Sequence, residues 1–74
     1  MSYAVGDLIV VFSDDWYTLR SGDDTFIITE VIEHPSRPTL AMRRLSGELH
    51  SMSWSFKHVD RRIAVGLWYH IAMR

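Results

Sequence analysis

Residues 45–60 read LSGELHSMSWSFKHVD, and the fold follows from how this stretch is divided. Ser46-Gly47, followed by Glu48, carries the turn chemistry of a hairpin loop. Leu49 to Trp54 then reads as a strand, with Ser51 and Ser53 alternating onto its outer side. From Ser55 to Asp60 the pattern changes to one helical turn, and Ser55 is suited to cap it. Phe56 and Val59 are expected to reach from that turn into a core.

Working backwards, Thr39 to Leu45 makes the strand that precedes the hairpin. The stretch His34-Pro-Ser-Arg-Pro38 must be a loop, because neither proline can donate to a ladder and each restricts its predecessor. Residues 25–33, TFIITEVIE, form an earlier strand rich in β-branched side chains. Residues 13–24, SDDWYTLRSGDD, form a long polar loop with Trp16, Tyr17 and Leu19 at its middle. Gly6-Asp7 is a turn, and Leu8 to Phe12 is the first strand. Working forwards, Arg61 to Val65 is predicted as a short fifth strand ended by Gly66. The terminal LWYHIAMR is a sixth strand or a terminal helical turn, and its density of aromatic and β-branched residues favours the strand.

This order of parts resembles that of an SH3-like small β-barrel: strand, long loop, strand, broken loop, strand, tight hairpin, strand, helical turn, short strand. The opening Gly6-Asp7 with Leu-Ile-Val-Val is also similar to KOW-type and Tudor-like barrels. The resemblance covers residues 4 to 65, and the order of loops carries it more than any motif. It implies an all-β fold, a single small SH3-like barrel of five or six antiparallel strands with one short helical turn before strand five. The ALYDY segment and paired tryptophan of peptide-binding SH3 domains are missing, which removes polyproline recognition from the expectation.

Seventy-four residues make one domain with a small core, and 47% hydrophobic residues argue against disorder. The chain has no cysteine, so neither a disulfide framework nor a thiolate zinc site exists. No secretory signal is visible and no apolar run spans a bilayer, so a cytoplasmic location is expected. The net charge of −1 hides a segregation: residues 1–34 sum to −6 and residues 35–74 to +5. Either the fold has an acidic and a basic face, or its halves interleave and the charges pair locally.

The residues that could carry chemistry are few. His34, His50, His58 and His70 match no compact ligand spacing, so no metal is expected. The serines at 46, 51, 53 and 55 lack an elbow or oxyanion signature, and the glycines are isolated singles with no phosphate cradle. No catalytic residue and no cofactor follow. Asp14, Asp15, Asp23 and Asp24 around Trp16 and Tyr17 offer aromatic anchors in an acidic rim, suited to a protein partner. Arg43, Arg44, Lys57, Arg61 and Arg62 beside Trp54 offer a basic cluster for nucleic acid, the alternative. Strand one is apolar on both sides. If Ile9 and Val11 point inward, then Leu8, Val10 and Phe12, with Leu67, Trp68 and Tyr69, are candidates for an oligomer interface. The expectation is a non-enzymatic protein-interaction module, similar in kind to small accessory modulators from phages or mobile elements.

Overall fold

The computed structural model describes residues 2–12, 24–45 and 51–73. The element order is β1 (Leu8–Val11), β2 (Asp24–Ile32), β3 (Thr39–Arg44), β4 (Ser51–Ser55), α1 (Phe56–Ala64) and β5 (Trp68–Ile71). The five strands form one antiparallel sheet in the order β4-β3-β2-β1-β5. This arrangement is compatible with an SH3-like small β fold. The hairpin at 46–48 and most of the 13–24 loop lie outside the described residues.

The expected barrel is not closed. Among the described residues β4 and β5 remain the two edges of the sheet, with no ladder between them. The sheet is nevertheless curled. Its longest strand, β2, slips register against β3 between Ile28 and Glu30, and the extra residue, Thr29, donates its hydroxyl to the Ala41 carbonyl at 3.2 Å. Such a bulge bends and twists a strand. The two edges consequently approach one another through side chains: the Trp54 and Trp68 rings lie 6.2 Å apart, with His58 of α1 against both.

A second correction concerns residues 61–65, expected as a strand. They continue the helix, which runs from Phe56 to Ala64. The reason is visible in the spacing. Phe56, Val59 and Ile63 recur at i, i+3 and i+7, the period of one helical face. Val59 is fully buried, and Phe56 and Ile63 pack against the core. Ser55 caps the start by accepting from the His58 amide at 3.2 Å. At the other end Gly66 adopts φ +83°. Its amide donates to the Ile63 carbonyl and that of Leu67 to the Arg62 carbonyl, the paired closure of a Schellman motif. The terminal segment is a strand as expected, but it is the fifth, and it joins the sheet beside β1.

The core is the inner face of the curl, closed by α1. Ile9, Val11, Phe26, Ile28, Leu40, Met42, Val59 and Trp68 are all at most 2% exposed. Ile9 and Val11 share the inward face of β1, and register then assigns their neighbours. Val11 pairs with Trp68 on one side and Asp24 on the other, and paired residues share a face. Trp68, read from sequence as an outer interface residue, is therefore core. Truncating it to alanine is expected to cost about 3–5 kcal/mol. No helix of the described residues is long and apolar enough to cross a membrane.

Candidate functional site

A groove runs along one end of the sheet, between the β2–β3 loop and α1. Its first part, a cleft of about 620 Å³, is lined by Ile32, His34, Ser36, Arg37, Thr39 and Ser53. Ser36 and Arg37 also line the next part, with Pro38, Ser55 and Lys57. Ser55 and Lys57 in turn line a third part, with His58 and Arg61. The shared residues make the three parts adjoin.

Each wall is held in place locally. In the loop, His34 Nδ1 accepts from the Ser36 amide at 3.2 Å and lies 3.0 Å from the Ser36 hydroxyl. The Thr39 hydroxyl donates to the Arg37 carbonyl at 2.9 Å. Two prolines restrict the same segment, so little backbone freedom remains to be lost on binding. On the opposite wall the first helical amide, that of Phe56, donates to the Pro38 carbonyl at 2.9 Å and joins helix to loop. The site thus lies where the chain crosses from β4 into α1, against the crossing from β2 into β3.

Electrostatically the groove is one-signed. Arg37, Lys57 and Arg61 are exposed, and no carboxylate stands among its described lining residues. Lys57 and Arg61, four residues apart on α1, are neighbours on one helical face. The first turn of α1 carries no acid, so the positive end of its dipole adds to these cations. Hydroxyls of Ser36, Thr39, Ser53 and Ser55 supply neutral donors between them. The arrangement can bind an anion; no nucleophile-base-orienter constellation accompanies it among the described residues.

The structure divides the basic cluster expected from sequence. Lys57 and Arg61 line the groove, whereas Arg62 is half-buried on α1 and is not among the described groove lining. Arg43 pairs with Ile27 and Ser51 and is exposed on the outer face of the sheet. Arg44 lies toward the core side, its Nε 3.0 Å from Asp24 Oδ2 and its guanidinium 5.9 Å from the centre of the Phe26 ring. Trp54 packs inward, stacked on His58 with ring centres 4.4 Å apart. Arg37, which sequence reading left in a proline-flanked loop, replaces Arg43 and Arg44 as the third cation.

The acidic surface fares differently. Asp14, Asp15, Trp16, Tyr17 and Asp23 lie outside the described residues. Asp24, expected on the same rim, opens β2 and is 3% exposed, which makes it a buried partner of Arg44. This pair joins the acidic half of the chain to the basic half, an instance of local pairing across the segregated sequence.

A polar cluster that sequence reading missed sits at the far side of the sheet. Asp7 is 1% exposed. Its carboxylate accepts from the Ala4 amide at 3.1 Å and the Met73 amide at 3.2 Å, and His70 Nε2 stands 2.8 Å away. It therefore ties the N-terminal turn to the end of β5. Close by, the Tyr3 hydroxyl donates to Asp60 of α1, and the Tyr3 ring packs edge-on against Phe56 at 5.2 Å. Burial first, and then the bonded Asp60 carboxylate, push the Tyr3 hydroxyl pKa well above the usual tyrosine value. Gly6-Asp7 was legible as a turn, but nothing in the string announced that residues 7 and 70 meet.

No family model matches the chain, and neither a curated protein nor a solved structure matches it.

Proposed function

We propose that this chain is a non-enzymatic binding module that seats the phosphate backbone of a nucleic acid in the groove between the β2–β3 loop and α1. One observation supports the reading above others: Arg37, Lys57 and Arg61 line adjoining parts of one surface, with hydroxyl donors between them and no carboxylate among its described lining. Fixed cations along a groove release condensed counterions from a polyanion, and that release supplies most sequence-independent affinity. The finer kinship, to KOW-type or Tudor-like barrels, belongs to this proposal and rests on Gly6-Asp7 before β1.

The test is fluorescence anisotropy of labelled single- and double-stranded oligonucleotides at 50 mM salt. The double variant Lys57→Glu/Arg61→Glu is expected to lose binding. The absence of any shift with either probe at low salt would sink the reading.

A second reading, protein interaction, has its own support. Leu8, Val10, Ile27 and Ile71 are half-buried, and Tyr69 is 57% exposed, on the outer face of β2, β1 and β5. Residues of this kind gathered on one sheet face suit association with a second copy of the chain. Light scattering across concentration decides it: a molecular mass that stays at 8.6 kDa up to millimolar protein removes this interface.

A further inference from the structure

We infer that the groove reads the phosphodiester backbone without reading bases, an inference that rests on the nucleic-acid reading above and narrows it. Three observations carry it. First, the chain contains neither asparagine nor glutamine, the bidentate readers of adenine; only Arg37 and Arg61 of the groove have the fork that reads guanine, and both are assigned to phosphate. Second, single-stranded binders hold bases on exposed aromatic platforms. Here the nearest candidate rings are used internally, Trp54 stacked on His58 and both set against Trp68. The described groove lining offers no aromatic except the His34 and His58 imidazoles. Third, what the groove does offer is suited to phosphate: separated cations, serine and threonine hydroxyls, and the acid-free first turn of a nine-residue helix.

Cation spacing also points this way. Lys57 and Arg61 stand one helical turn apart on one wall, and Arg37 faces them from the loop. Spread over two adjoining lining segments, the three cations suit more than one phosphate. Three such contacts predict a modest salt dependence, a slope of log affinity against log salt of about −2 to −3. Duplex and single strand share this chemistry, so the probes must separate them.

Binding of the full chain is measured by anisotropy to four fluorescent probes of equal length: a mixed-sequence duplex, oligo-dT, oligo-dA, and an abasic oligomer that keeps sugars and phosphates but has no bases. Vesicles of phosphatidylcholine with phosphatidylserine serve as a fifth. The expected result is that oligo-dT, oligo-dA and the abasic oligomer bind within about threefold of one another, with the slope stated and loss in Lys57→Glu/Arg61→Glu. An abasic oligomer bound more than tenfold weaker than oligo-dT overturns the inference and leaves nucleic-acid binding standing. So does a tenfold preference between oligo-dT and oligo-dA. A duplex bound tenfold tighter than every strand, with the abasic oligomer equal to oligo-dT, supports backbone reading and names the duplex as its source. Binding to vesicles with none to any oligonucleotide overturns both readings.

Discussion

The two sides of α1 treat polar chemistry in opposite ways. Toward the N-terminal segment, Tyr3, Asp7, Asp60 and His70 are drawn together and matched donor to acceptor. Toward the β2–β3 loop, Arg37, Lys57 and Arg61 stand exposed along a groove with no acid in its described lining. One cluster mixes carboxylates with hydroxyl and imidazole partners, the other holds only cations, and both reach the same short helix. The difference teaches that burial goes with internal pairing, while polarity left exposed with a single sign stays available to a ligand. A buried carboxylate must be satisfied within the fold or it destabilises it, whereas exposed cations cost little to keep apart.

The comparison breaks first at Asp7. Replacing it with alanine leaves two backbone amides and His70 without their acceptor, and is expected to lower unfolding free energy by about 3–5 kcal/mol. Urea denaturation measures it; a loss under about 1 kcal/mol would mean that water or neighbouring groups satisfy the cluster. On the groove side, Lys57→Glu/Arg61→Glu should show the reverse pattern, affinity falling more than tenfold with stability within about 0.5 kcal/mol. A variant that unfolds instead would show that these cations belong to the structural side of the comparison.

Alkaline pH sharpens the contrast. Because the folded Tyr3 pKa is raised, its contribution is fully present below the unfolded value of about 10 and is lost as pH climbs above it. Stability of the parent chain should therefore fall above pH 10 by up to about 1.4 kcal/mol per pH unit more than that of Tyr3→Phe. Parallel curves for the two would remove Tyr3 from the buried network. The smallest effect is expected at Gly66, where φ is +83° and a β-carbon would meet nothing within 4 Å. Gly66→Ala should cost about 1 kcal/mol from backbone strain alone, read as a small drop in denaturation midpoint.

Much of the fold was legible because its signals are local. Strand alternation put Ile9 and Val11 on one face, the two prolines ended β2, and Ser55 marked the start of α1. The length of the helix was not legible in the same way, because the Phe56, Val59 and Ile63 face gains its meaning only against the sheet. Packing of that face against the sheet outweighs a weak local preference. The candidate site was legible in part. Lys57 and Arg61 were named from charge, but Arg43 and Arg44 were grouped with them by nearness in the chain. In a strand, adjacent residues face opposite ways, so Arg43 points out and Arg44 turns toward Asp24.

By itself, then, the sequence determined the first four strands in order, the alternation along β1, the cap of α1 and the absence of thiol chemistry. All of these depend on residues within a few positions of one another. The tertiary structure alone decided that the sheet stays open, that Trp68 is core, that Asp7 meets His70, and that Arg37 joins Lys57 and Arg61 across a groove. Those outcomes depend on register and curl, which bring together residues 20 to 63 positions apart. No local pattern encodes such distances, because only the packed sheet and helix set them.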